Sequence, residues 1–291
     1  MRPPYATLRY AEAFGLPTVD VPEWRTAVLV QPIPDSDWND ARGCYPLTCL
    51  GEDADLRAGL ERLRSTGFVS VTLVPDPLDG PSHAALADAF EVCRPFKTHY
   101  LFDRSLPPHI SATHRRWLRA AQRQCRVDRV DLRGVLPHWE QLYAGLIEQH
   151  GIAGIQAFSH TYFTALAEMP EVAAFAAFQN ERIVAIALWM QHEDCAYYHL
   201  GASTLEGYDT RAMYGIFAAV FDSLRNVRIF HFGGGAGVNP DEGSGLAQFK
   251  RGFANREVPA YFCGARLRAD RYSILAGEKP PSDFFPAYRS R

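Results

Sequence analysis

At 291 residues the chain is too long for one ordinary hydrophobic core and about right for two. A hydrophobic fraction of 47% with 22% charged residues is that of a soluble globular protein. A net charge of -3 excludes a globally basic nucleic-acid binder but leaves room for a local basic groove.

The opening MRPPYATLRY has no apolar stretch of signal-peptide length. The longest apolar run, Ile183 to Met190, is far short of the ~20 residues a membrane helix needs. A cytoplasmic protein without membrane insertion is therefore expected. Cys44, Cys49, Cys93, Cys125, Cys195 and Cys263 are scattered without a CxxC pair, which points to free thiols. There is no visible repeat, low-complexity tract or heptad pattern.

The first half alternates short strands and helices. Thr26 to Ile33 reads as a strand and is followed by a polar, turn-rich stretch. Leu56, Leu60 and Leu63 give helical spacing over Ala54 to Ser65, with Asp53 as the expected cap. Gly67 to Pro77 reads as a strand ended by prolines, Pro81 to Val92 as a helix and Pro95 to Asp103 as a strand. This β-α-β-α-β rhythm predicts an α/β or mixed class. Ser111 to Cys125, rich in arginine, reads as a helix bridging to a second domain, so domains of 1–125 and 126–291 are expected.

The second half starts with a strand, Val127 to Leu132, and helices over Leu136 to His150 and Ser159 to Glu168. Three strands follow: Val172 to Gln179, Arg182 to Gln191 and Cys195 to Ser203. Tight turns at Asn180-Glu181 and His192-Glu193-Asp194 join them into a meander. A helix over Thr210 to Leu224, a strand over Val227 to Phe232, a helix near Gly245 to Phe253 and a strand over Pro259 to Leu267 complete the order. An antiparallel meander followed by one parallel crossover, right-handed by rule, is uncommon.

The segment His231 to Phe253 leaves a strand, runs through Gly233, Gly234, Gly235 and Gly237, and enters a helix with Phe249-Lys250 near its end. Such a loop lets backbone N–H groups approach an anion or a carbonyl oxygen. A plain tight turn without a ligand remains equally open from composition. Arg115, Arg116, Arg119, Arg123, Arg126, Arg129 and Arg133 crowd together, and the spacing of Arg115, Arg119, Arg123 and Arg126 makes one basic helix face. That face suits phosphates of RNA or a nucleotide-linked acceptor, or simply solvent. Tyr197 and His199 share one face of their strand and Tyr198 takes the other. The chain has no GxSxG elbow, no Walker loop, no HExxH and no GxGxxG. His192 to Cys195 has metal-friendly residue types but reads most simply as a polar turn, and no metal site is expected.

The element order of the second half is similar to the GNAT acyltransferase fold. The glycine cluster followed by an FK-x-x-F helix, here Phe249, Lys250 and Phe253, resembles the C-terminal signature of Fem-type aminoacyltransferases. Lys97 to Arg123 also looks like that family's entry into its second domain. The resemblance runs roughly from Lys97 to Leu275; residues before 97 match only as a weak GNAT-like unit. It implies an α/β (α+β) chain of two GNAT-like domains, each with a mixed sheet flanked by helices, packed side by side with the active site mainly in the second. It further implies that Lys250 stabilises an oxyanion at the reaction centre, with Phe249 as a pocket wall. A fixed cation there is worth ~3–4 kcal/mol. Gly233, Gly234, Gly235, Tyr198, His199, Arg211 and Asp103 are the candidate substrate-binding residues, Asp103 from an expected interdomain cleft. Arg115, Arg116, Arg119 and Arg123 are the candidate tRNA or phosphate contacts.

The resemblance implies amide-bond formation from aminoacyl-tRNA onto the amine of a small peptide or cell-wall-type acceptor, with no cofactor. A CoA thioester or carrier protein is the alternative donor. GNAT enzymes typically hold the CoA pyrophosphate on a Q/R-x-x-G-x-G/A turn, and Gly201 to Gly215 lacks it. A GNAT-fold binding protein without catalysis is the third reading.

Overall fold

The computed structural model describes residues 2–152, 154–235, 244–277 and 284–290. They form two compact units, Met1–Lys97 with Pro259–Arg291, and Thr98–Val258. The division thus falls after Lys97 and Val258 rather than after residue 125. The physical reason is pairing: the last strand returns to the first unit, and the arginine-rich helix packs within the second.

The first unit carries α1 (Leu8–Glu12), β1 (Thr18–Val21), β2 (Thr26–Pro32), β3 (Asn39–Gly43), α2 (Leu56–Thr66), β4 (Ser70–Leu73) and α3 (His83–Ala89). β5 (Val92–Asp103) leads into the second unit. The second unit holds α4 (Ala112–Gln124), β6 (Arg126–Val130), α5 (Leu132–His150), α6 (His160–Ala167), β7 (Val172–Gln179), β8 (Arg182–His192) and β9 (Cys195–Ser203). It continues with α7 (Leu205–Asp209), α8 (Ala212–Ser223), β10 (Ile229–Gly233) and α9 (Gly245–Arg251). β11 (Arg256–Arg266) leads back to the first unit, which ends with α10 (Ala269–Ala276).

In the first unit the strand order is β1-β2-β3-β4-β11, antiparallel except for the parallel β3–β4 pair that α2 crosses over to make. β3 lies inside the stretch read as turn-rich, because its sequence NDARG shows no apolar alternation. Asp55, not Asp53, caps α2 by accepting from the Ala58 amide, while Asp53 is drawn to Arg25 at 3.1 Å. Gly67, at φ +97, ends that helix. Trp24 lies fully buried against Gly59, where an added Cβ would come within 2.0 Å of the indole nitrogen.

In the second unit the order is β5-β10-β9-β8-β7-β6. β6 to β9 are antiparallel neighbours, β10 is parallel to β9 and antiparallel to β5. The Asn180-Glu181 turn has both residues at positive φ, 47° and 60°, as a two-residue hairpin demands. α5 starts at Leu132, earlier than Leu136, because Asp131 caps it. The helix expected over Thr210 to Leu224 is α8, and a short extra helix, α7, precedes it, set off from it by Arg211 at φ +60. One sheet face is buried under α4, α8 and α9 through Trp189, Phe217, Phe230, Phe232 and Phe253. Burying each phenylalanine is worth roughly 1.5–3 kcal/mol. α5 and α6 cover the opposite face, with Trp139, Tyr162 and Phe163 at most 2% exposed. The fold class is mixed α/β, as expected: mixed sheets flanked by helices.

Candidate functional site

The site is built where β9 and β10 part. Among the described residues their parallel pairing runs only from Ile229–Cys195 to His231–Tyr197, although β9 continues to Ser203. Each strand carries a bulge just there. On β9, Leu188 pairs with Leu200 and Trp189 with Tyr198, which leaves His199 as the extra residue. On β10, His231 pairs with Leu101 and Gly233 with Tyr100, which leaves Phe232 extra. A bulge bends its strand and re-aims the side chains beside it. Two bulges at one level open the sheet, and Gly233 can follow β10 around the bend because it adopts φ +71.

Lys250 fills this opening. It sits in the last turn of α9, where Ser244 caps the helix by accepting from the Ala247 amide. Its side chain is 6% exposed, its Nζ donates to the Gly234 carbonyl at 2.6 Å, and it stands 5.6 Å above the Tyr198 ring. A buried charge needs partners of this kind to offset its lost hydration. Tyr198 is in turn seated by Gly201: a Cβ there would lie 2.0 Å from the tyrosine hydroxyl. The contact with the glycine turn is the reverse of the one expected. The loop offers the ammonium a carbonyl oxygen at Gly234. Gly237 and the rest of the loop to residue 243 lie outside the described residues.

Behind Lys250, a pair of buried histidines joins β5 to β10. His231 Nε2 and His99 Nδ1 lie 3.2 Å apart, and the two residues are 2% and 5% exposed. Burial first, and then the Lys250 charge, push His231 down to about 3, so it is uncharged at neutral pH. The Tyr197 ring is 5.2 Å from it. On the same sheet face His199 Nε2 meets the Tyr162 hydroxyl at 2.9 Å, and burial pushes His199 down to about 3 as well. The alternation read for Tyr197, Tyr198 and His199 holds: Tyr198 packs on Trp189 and Phe217 across the sheet. His99 and His231 were missed in the sequence. The available signal was a histidine inside an aromatic-rich strand, His99 beside Tyr100 and His231 between Phe230 and Phe232.

Other expected residues lie elsewhere. Asp103 is no acceptor for a substrate amine. Its carboxylate is 4% exposed and takes the Ser105 amide at 2.9 Å and hydroxyl at 2.6 Å, with Arg228 and Arg256 at 3.5 and 3.8 Å. Burial opposes its ionisation, but these bonds and charges outweigh burial and hold the carboxyl below its ordinary range. It closes a turn inside the second unit. Phe249 turns its ring into the aromatic core, 4.8 Å from Phe217 and 4.9 Å from Tyr214, so it is a packing residue. Arg211 stacks its guanidinium 5.1 Å over Trp117 of α4 and so joins that helix rather than the Lys250 site.

Arg115, Arg116, Arg119 and Arg123 are all exposed on α4. Among the described residues none of them pairs with a carboxylate; Arg115 donates to the Ile110 carbonyl at 2.5 Å. A depression of about 380 Å³ beside Arg129 and Val172 lies at the β6–β7 edge, away from Lys250. Among the described residues no group of three or more His, Cys, Asp or Glu side chains is placed to hold a metal ion. Nor is any helix among them long and apolar enough to cross a membrane.

No protein-family model matches the chain, and no curated protein matches it. Solved structures do. FemX aligns at a TM-score of 0.59 and 16% identity over 85% of this chain and 86% of its own. L-PGS from Bacillus licheniformis aligns at 0.55 and 15% identity over 86% and 83%. A C-terminal domain assigned to lysylphosphatidylglycerol synthetase from Agrobacterium fabrum aligns at 0.56 and 16% over 85% and 82%. At these identities the likeness is one of fold, and in fold the chain is similar to FemX and to these two structures.

Proposed function

We propose that the chain is an acyltransferase that moves an aminoacyl group from tRNA to the amine of a small acceptor. The observation that carries this reading is the buried Lys250 ammonium at the parting of β9 and β10, beside uncharged His231. The acceptor amine attacks the ester carbonyl carbon and a C–N bond forms. The carbonyl oxygen takes up negative charge, which a fixed cation in a dry site stabilises by ~3–4 kcal/mol. The C–O bond to ribose then breaks, and the ribose oxygen leaves with the proton lost by the amine. The ester is already activated, so the substrate's own groups suffice for the proton transfer. No cofactor enters this reading, and the supply of aminoacyl-tRNA assigns the protein to the cytoplasm.

Two features favour tRNA over CoA as donor. The β9–α8 connection, where a GNAT enzyme holds the CoA pyrophosphate, is occupied by α7, and Gly207 packs that turn against the Val184 carbonyl. The four exposed arginines of α4 supply a phosphate-binding face. The test is transfer of a radiolabelled amino acid from charged tRNA, with and without ribonuclease. Ribonuclease abolishes transfer on this reading; transfer that persists refutes tRNA dependence. Replacing Arg115, Arg116, Arg119 and Arg123 by alanine should lower the slope of log affinity against log salt by ~3. An unchanged slope makes that stripe a solvated face.

A further inference from the structure

We propose that His114 is a positioning residue: it ties α9 to α4 and so holds the Lys250 ammonium in the gap between β9 and β10. The claim rests on the reading of Lys250 above. His114 lies in the first turn of α4 and is 5% exposed. Its Nε2 is 2.9 Å from the Phe249 carbonyl, the residue directly before Lys250, and its Nδ1 is 2.9 Å from the Ser111 hydroxyl.

These partners fix the protons. A carbonyl only accepts, so Nε2 carries hydrogen and donates to Phe249. Nδ1 then accepts from the Ser111 hydroxyl, whose oxygen in turn accepts from the His114 amide at 3.1 Å. Burial lowers the histidine's basicity by more than the bond to Phe249 raises it, which favours this neutral form. The Phe249 carbonyl lies in the last turn of α9, where helix carbonyls have no intrahelical partner, so the imidazole supplies what the helix lacks.

Shape makes the lock specific. A Cβ on Gly252 would sit 2.0–2.3 Å from three atoms of the His114 ring, so the ring occupies the space a side chain would take. The Ser111 amide donates to the Gly252 carbonyl at 3.3 Å. Tyr214 and Phe253 meet the ring edge-on at 5.1 and 4.9 Å. The two bonded groups, Phe249 on α9 and Gly252 just past its end, bracket Lys250. A helix of seven residues has little rigidity of its own, so its placement depends on such anchors.

The experiment compares His114→Leu with His114→Gln in the full chain, since a glutamine amide reaches the Phe249 carbonyl from the same direction. Hydrogen exchange of the 245–253 segment is measured alongside steady-state transfer. His114→Leu should speed exchange in that segment ~10-fold or more, while β7 and β8 stay as protected as in the wild type. It should lower kcat ~10-fold with KM for aminoacyl-tRNA changed less than ~3-fold, and His114→Gln should restore both. Unchanged exchange in His114→Leu overturns the proposal, as does equal loss in Leu and Gln variants. If the wild type transfers nothing, the functional reading fails, and the exchange comparison still decides the tie between the two helices.

Discussion

Neutralising Lys250 separates charge from packing. Lys250→Met keeps an unbranched chain of nearly the same length in a space that leaves the lysine 6% exposed. The change leaves the Gly234 carbonyl without its 2.6 Å donor, which costs about 1–3 kcal/mol. It also removes the cation over Tyr198, worth about 0.5–2 kcal/mol. Against these losses, an ammonium no longer has to be desolvated, a gain of several kcal/mol. The sums nearly cancel, so stability should move by no more than about 2 kcal/mol and Tm by only a few degrees. The transition state has no such compensation. Losing ~3–4 kcal/mol of oxyanion stabilisation lowers kcat ~100-fold or more. Single-turnover transfer from charged tRNA reads the chemical step, and thermal unfolding reads the fold. A variant that melts like the wild type and transfers within ~3-fold of its rate removes Lys250 from the mechanism.

The buried histidines predict an acid-sensitive fold. Burial holds His199 at about 3, and burial with the Lys250 charge holds His231 at about 3. In the unfolded chain each takes a proton near pH ~6.5, so the unfolded state binds more protons below that pH. Stability is therefore fully present above pH ~6.5 and falls as pH drops toward 3, by about 2 kcal/mol per histidine at pH 5. Urea midpoints that stay level from pH 8 to pH 5 would contradict this. Two glycines should respond to alanine with opposite signs. At Gly207 the new Cβ meets the Val184 carbonyl at 2.2 Å, and overpacking against backbone should cost about 1–3 kcal/mol. At Gly145 on α5 nothing lies within 4 Å, so alanine should stabilise by about 1 kcal/mol. Thermal melts of the two variants that shift the same way would refute this account of their packing.

Local patterns in the sequence were enough for the larger elements. Apolar runs joined by tight turns mark β7 to β9, Ser159 caps its helix, and the order of elements anticipates the fold. Lys250 is singled out by its FK-x-x-F context. Short polar elements escape this reading: β1, β3 and α1 are four or five residues long, too short to show a period. Nor does sequence reveal the short α7, or that Arg211 turns left-handed between it and α8.

The site itself belongs to the tertiary structure. The bulges at His199 and Phe232 exist only as a mismatch between paired strands, so neither strand alone displays them. His99 and His231 lie 132 positions apart and meet only because β5 and β10 pair. Asp103 reads as a reactive carboxylate until Ser105, Arg228 and Arg256 surround it. Residue types and their spacing decide which segments bury which face. The placing of Lys250 against Gly234, Tyr198 and His231 depends on contacts between segments distant along the chain, which form only when the sheet closes around them.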